Sequence, residues 1–160
     1  MRRLGAGLAT HLRPGDPALG ARLAARFADD ARARIERNRP LLARLGARYR
    51  LGLVSNFYGN LGTVCDNFHI RSLFRVIVDS SQVGLTKPDP RIFQHAVDEL
   101  GVPPAAATFV GDSLARDMAG ARAVGMPHVW LAGDEIDRPR SCCPDDVVVR
   151  SIMELEDRLR

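Results

Sequence analysis

Lysine is almost missing from this chain: of its 23 cationic residues only Lys87 is a lysine, and the rest are arginines. Cysteine is scarce as well. There are three, Cys65 and the adjacent Cys142 and Cys143, and neither a paired framework nor a zinc spacing can be built from them. A reducing cytoplasm is therefore the expected setting. No apolar run approaches the roughly 20 residues that a membrane-spanning helix needs. The basic start MRRLGAG leads into no apolar stretch of the signal-peptide type. These absences predict a soluble, unexported protein without a membrane partner. Internal repeats and low-complexity tracts are also missing.

What is present suits a globular chain. In 160 residues, 46% are hydrophobic and 26% charged, enough to bury a core and too apolar for disorder. The net charge of +4 raises the question of nucleic acid, but the positive charge is dispersed. Arg22, Arg26, Arg32, Arg34, Arg37 and Arg39 cluster, yet Asp29, Asp30 and Glu36 interrupt them at the spacing of a solvated helix face. Nucleic-acid binding is not expected.

Periodicity gives an alternating α/β pattern. Leu19, Leu23, Phe27, Ala31 and Ile35 recur every four positions, the stripe of an amphipathic helix from Pro17 to about Asn38, and Pro40 is expected to close or restart it. A short helix then ends near Gly46. Leu51–Ser55 reads as a buried strand, Leu61 to about Ile70 as a helix, Arg75–Ser80 as a strand, and Pro90–Leu100 as a helix with Gly101 in the stop position. Thr108–Asp112 is the next strand, Leu114–Val124 a helix stopped by Gly125, and His128–Ala132 a strand with Trp130 in the core. Asp146–Val149 precedes a last helix, and Gly133–Pro144 reads as a surface loop. Strands that alternate with helices predict a parallel sheet, with ligands beyond the carboxyl ends of its strands. Ser55, Asn56, Asp112 and Ser113 all fall on that rim.

Each of these residues has an ordinary structural explanation. A serine after a strand is commonly a cap. So are Asp112 and Ser113 before a helix, and a lysine before a helix start is commonly solvated. The solitary Lys87 escapes that explanation, because a chain that otherwise uses arginine places a compact, flexible ammonium here. Pro88 and Pro90 hold it on a rigid lead into a helix. Gly111 would let the backbone approach a ligand closely. The four histidines share no metal spacing, and Cys65 reads as an inert buried thiol.

Three motifs in order, LVSN, KPDP and GDSLARD, resemble those of the haloacid-dehalogenase-like (HAD) hydrolases, over roughly Asn38 to Leu159. The resemblance implies a Rossmann-like, three-layer parallel sheet and a Mg²⁺-dependent phosphatase acting on a small phosphorylated metabolite. It implies phosphoryl binding by Ser55 and Asn56, with Lys87 bridging the phosphoryl group and the nucleophilic carboxylate. It implies Mg²⁺ binding by Asp112 and Asp117, carboxylates being the hard oxygen ligands this ion prefers. Residues 1–38 resemble the end of a helical cap, and 39–160 the α/β core.

The family's core begins with a strand ending in Asp-x-Asp, whose first aspartate attacks phosphorus and whose second acts as acid and base. No Asp-x-Asp occurs in these 160 residues. In the family that strand is central, lying between the strands that end in Ser55 and Asp112, so two inner edges should be unpaired here. The expectation is a sequence that begins downstream of the true start and is inactive alone. The other routes are direct closure of those two strands on one another, or a partner chain or homo-oligomer that closes the edge. Two further readings stand beside the phosphatase: a non-catalytic relative that binds phosphate or a partner, and a haloacid dehalogenase. Substrate identity is unreadable, because the cap that selects it is mostly not in this sequence.

Overall fold

The computed structural model describes residues 18–133 and 147–159, and the chain divides into two compact units, Met1–Pro40 and Leu41–Arg160. The Gly133–Pro144 loop lies outside the described residues except for its first position. Helix α1 runs from Leu19 to Gly46 with Pro40 inside it. The break or restart expected at Pro40 is thus corrected to one continuous helix. Proline in a helix interior costs about 3 kcal/mol. Just beyond it, Leu41 and Leu45 are 0% and 4% exposed, and burying two leucines returns roughly 1.5–3 kcal/mol each, which outweighs that cost. In the first unit the stripe is only partly covered, Phe27 being 55% exposed. Among the described residues no helix is long and apolar enough to cross a membrane.

The second unit is built from parallel strands and helices. β1 (Gly52–Ser55) pairs with β2 (Val76–Asp79) in parallel, Ser55 opposite Asp79. β3 (Phe109–Gly111), β4 (His128–Leu131) and β5 (Val147–Val149) form a second parallel sheet in that order. Between them run α2 (Leu61–Asn67), α3 (Ser80–Val83), α4 (Pro90–Leu100) and α5 (Ala119–Ala123), with α6 (Leu155–Arg158) last. α4 is set locally at both ends. Asp89 caps it by accepting the Arg91 N–H, Pro90 opens it, and Gly101 ends it at φ 67°, a conformation that glycine adopts without penalty.

Two apolar clusters cover the strands. Val76 and Val78 of β2 pack with Ile92, Phe93, Ala96 and Val97 of α4, and Phe109 joins them through an edge-on ring contact with Phe93 at 4.9 Å. The other cluster holds Leu41, Leu45, Val129, Val149 and Leu155, and Val110 joins that one. Neighbours Phe109 and Val110 thus point to opposite faces of β3, as the period of a strand requires. Arg44 forks onto Glu156 at 2.8 and 2.7 Å, tying the end of α1 to α6. That guanidinium holds the Glu156 carboxyl below the usual carboxylate range.

One strand expectation needs correction. The segment around β1 was expected to be a buried strand, but Gly52 is exposed and Leu53, Val54 and Ser55 are half-buried. β3 is half-buried throughout. The neighbouring β2 and β4 are mostly buried. β1 and β3 each end a sheet and are not hydrogen-bonded to one another.

Candidate functional site

β1 delivers Ser55 to its carboxyl end, and the loop after it is fixed from β2 and α3. The Phe57 N–H donates to Ser80 Oγ at 2.9 Å, while the Ser80 and Ser81 hydroxyls donate to the Phe57 carbonyl at 3.2 and 2.6 Å. Gln82 Nε2 donates to the Gly59 carbonyl at 2.8 Å. Beneath this loop Asp79, 1% exposed, accepts the N–H groups of Leu61 and Ser81, both at 3.0 Å, which seats the starts of α2 and α3. Sequence reasoning did not single out Asp79, Ser80 or Ser81. The available signal was the cap-type Asp-Ser-Ser that ends the strand VIVD.

Asn56 and Lys87 are joined by a reciprocal pair of bonds. Asn56 Nδ2 donates to the Lys87 carbonyl at 3.0 Å, and the Lys87 N–H donates to Asn56 Oδ1 at 2.8 Å. Both ends of the amide are thereby committed to the Lys87 backbone, so its side chain acts by positioning the lysine. Asn56→Ala removes both bonds from a surface position. We expect a loss of about 1–2 kcal/mol of stability, read from urea unfolding. Beyond Lys87 the Lys87–Pro88 peptide is cis, and Asp89 caps α4 while pairing with Arg91 at 2.6 Å. The Arg91 guanidinium and N–H hold the Asp89 carboxyl below its ordinary range.

The Lys87 ammonium reaches Asp117 Oδ1 at 2.7 Å, the two side chains being 13% and 5% exposed. Oδ1 has no well-directed hydrogen bond, so this contact is one of charge. The ammonium also lies 5.5 Å from the centre of the Phe109 ring, a favourable position for a cation. Asp117 Oδ2 accepts the N–H groups of Asp112 and Ser113 at 3.1 and 3.0 Å. A single carboxylate thus links the lysine to the backbone at the end of β3. Its position depends on a departure from α geometry. The expected Leu114–Val124 helix begins instead as a π-helical turn, Leu114–Met118, in which the N–H groups of Asp117 and Met118 both donate to the Ser113 carbonyl, at 2.8 and 3.2 Å. Such a widened turn is common at functional sites.

Two glycines make room for this arrangement. A Cβ on Gly111 would lie 2.5–2.6 Å from Asp117 Cβ, Cγ and Oδ2, and one on Gly120 would lie 2.2 Å from the Phe93 ring and 3.0 Å from the Pro88 carbonyl. Gly111 was expected to admit a ligand; the group it admits is Asp117. On the outer side, Trp130 Nε1–H donates to the Asp112 carbonyl at 3.2 Å, and Trp130 is buried as expected.

Asn56, Lys87, Asp117 and Asp112 are therefore joined in one run of contacts, with Ser55, half-buried, next to Asn56. Asp112 is exposed and Asp117 buried. Among the described residues no group of three or more His, Cys, Asp or Glu side chains forms a metal cluster. Cys65 is buried, and burial pushes its thiol up, which fits an inert role. The rim thus offers one ammonium, one buried carboxylate that neutralises it, and one outward-facing acid, on a backbone held in place from several sides.

The family model for haloacid dehalogenase-like hydrolases matches residues 7–125, and the chain belongs to that family. It is 38% identical over 108 residues to haloacid dehalogenase-like hydrolase domain-containing protein 3 of Mus musculus, covering 66% of this chain and 43% of the mouse protein. It is 30% identical to a HAD phosphatase from Thermococcus onnurineus, with a TM-score of 0.68 over 81% of this chain and 64% of that one. The fold also matches the HAD-hydrolase YfnB from Bacillus subtilis, solved bound to magnesium, with a TM-score of 0.63 and 23% identity over 98% of this chain and 69% of that one. The matched part of the chain thus spans 43% of the length of the mouse relative.

Proposed function

We propose that this chain is the phosphoryl- and Mg²⁺-handling portion of a HAD phosphatase for a small phosphorylated metabolite. The observation that carries the reading is the run Asn56, Lys87, Asp117, Asp112, which ties a cation and two acids to the carboxyl ends of β1 and β3. Ser55 and the amides after it would bind phosphoryl oxygens. Lys87 would offset the negative charge shared by that group and the attacking carboxylate. The acids suit Mg²⁺ in part: this ion commonly takes one or two protein carboxylates and fills its remaining positions with water and substrate phosphate. Asp112, exposed, would be the direct ligand, and Asp117, whose oxygens already receive two N–H groups and an ammonium, would orient it from behind. When bound, the ion would supply charge stabilisation to the transferring phosphoryl group.

The attacking aspartate would come from an Asp-x-Asp strand lying between β1 and β3 in a three-layer core. The half-buried state of those two strands and their lack of mutual pairing support this reading. That strand would be supplied by residues outside these 160 or by another chain. The test is turnover of p-nitrophenyl phosphate with Mg²⁺ by the 160-residue chain, alongside halide release from 2-chloropropionate. We expect neither product. We also expect inorganic phosphate with Mg²⁺ to perturb the NMR signals of Ser55, Asn56 and Ser113. Phosphatase turnover abolished by Asp112→Asn would overturn the claim of inactivity, halide release would favour the dehalogenase, and a silent phosphate titration would remove the site itself.

A further inference from the structure

Residues 56–60 join β1 to α2, and the connection that follows β2 holds them at three places in succession. Asn56 is bound to the Lys87 backbone at 3.0 and 2.8 Å, Phe57 to the Ser80 and Ser81 hydroxyls, and the Gly59 carbonyl to Gln82 Nε2 at 2.8 Å. Asp79, in register with Ser55, closes the far end by accepting the Leu61 N–H at 3.0 Å. At the middle place, hydroxyls take both polar groups of one residue's backbone. The Phe57 N–H donates to Ser80 Oγ at 2.9 Å, and the Phe57 carbonyl accepts from Ser81 Oγ at 2.6 Å and from Ser80 Oγ at 3.2 Å.

A peptide unit is planar, so each of these bonds fixes a whole plane. The Phe57 N–H belongs to the plane that joins Asn56 to Phe57, and the Phe57 carbonyl to the next plane along. Holding both sets the backbone just after Asn56, and with it the direction in which the Asn56 amide leaves the chain toward Lys87. Neither hydroxyl is needed to start α3. That helix is capped by Asp79, whose side chain accepts the Ser81 N–H at 3.0 Å. Ser81 is exposed, where water could satisfy its hydroxyl, yet the hydroxyl is spent on the loop.

We infer that Ser80 and Ser81 are positioning residues for Lys87, acting on it through Phe57 and Asn56. The value of this coupling for phosphoryl binding rests on the phosphatase reading; the coupling itself does not. A reacting geometry that slips by about 1 Å loses roughly a hundredfold in rate, and side chains are held to that precision when the groups behind them are locked by packing and hydrogen bonds. The Lys87 ammonium is fixed in front by Asp117, and its backbone is fixed behind by Asn56. The two serines lock Asn56 in turn. The same bonds commit the Phe57 N–H to Ser80 Oγ, which withdraws that amide from a bound anion and leaves the contact to Ser55 and the other groups of the loop.

The test measures NMR order parameters of the Asn56 side-chain amide and the Lys87 N–H on the whole 160-residue chain. Both should be near 0.85 in the parent, the value of a rigid group, and fall below about 0.6 in Ser80→Ala. Ser81→Ala should lie between, because the Phe57 N–H keeps its acceptor. Ser81→Thr, which retains the hydroxyl at an exposed position, should match the parent. Ala96 and Val97 in α4 should stay rigid in every variant, which separates a local loosening from a general one. With inorganic phosphate and Mg²⁺, Ser80→Ala should bind about tenfold more weakly than the parent, a change of about 1.4 kcal/mol, and Ser81→Thr should bind as the parent does. An Asn56 amide that stays rigid in Ser80→Ala, loosening shared equally by α4, or a threonine variant as loose as the alanine one would each overturn the inference. So would unchanged phosphate affinity in a chain whose Asn56 has come loose. A parent chain that takes no phosphate, with Asn56 and Lys87 still loosened by Ser80→Ala, would remove the phosphatase reading and leave the positioning of Lys87 standing.

Discussion

Lys87→Met should lower the unfolding free energy by about 3 kcal/mol, although it removes only one ion pair. Both side chains of that pair are largely withdrawn from water, so deleting the cation leaves Asp117 as a buried charge without its counter-ion. Breaking a buried pair from one side costs about 3–5 kcal/mol. The lower end applies because Asp117 Oδ2 keeps its N–H donors from Asp112 and Ser113, which go on stabilising the carboxylate. In thermal unfolding the loss corresponds to roughly 6–12 °C for a chain of this size. Lys87→Met with Asp117→Leu should recover part of the loss, because an apolar pair needs no compensation. A single variant as stable as the parent in urea would mean that water reaches Asp117 and that the pair is not a buried one.

Gly111→Ala should be of similar size, about 3 kcal/mol, through a different cause. The added methyl would overlap Asp117 at Cβ, Cγ and Oδ2 together. Because Asp117 is held by Lys87 on one side and by two amides on the other, it cannot simply rotate away. Overpacking of this sort costs roughly 1–3 kcal/mol, and more where the neighbour cannot yield. The NMR signals of Asp112 and Ser113 should shift strongly, since their N–H groups lose their acceptor. Replacing Asp117 by glycine in the same chain removes the clash, so the two substitutions should be far from additive. Additive effects, or an alanine variant with unchanged midpoint and spectrum, would show that the backbone opens at β3 and that Gly111 is not needed for this packing.

Much of this arrangement was legible from the sequence wherever the determinants are local. α4 has the predicted limits because an aspartate cap, a proline at its first turn and a left-handed glycine at its end are all near neighbours along the chain. The motif residues fell on one rim because strand ends in a parallel sheet share a side. Local signals failed where distant residues decide. Pro40 read as a boundary, but Leu41 and Leu45 carry the helix through it. The π-helical turn could not be read, since Leu114, Met118 and Ala121 suit an α-helix equally well. Asp79 and the α3 serines went unnoticed because their partners, Phe57 and Leu61, lie on a different element. The reciprocal Asn56 and Lys87 bonds join positions 31 residues apart, beyond the reach of any periodicity.

The widened turn at Leu114–Met118 also makes the site sensitive to residue counting. An α-helix advances about 100° per residue, so losing one residue between Ser113 and Asp117 would tighten the coil to regular pitch and swing the acid about a quarter-turn around the helix axis. Every side chain after it would keep its chemistry yet face a different neighbour. Spacing, and not composition alone, is what keeps the acid of GDSLARD opposite the chain's solitary lysine.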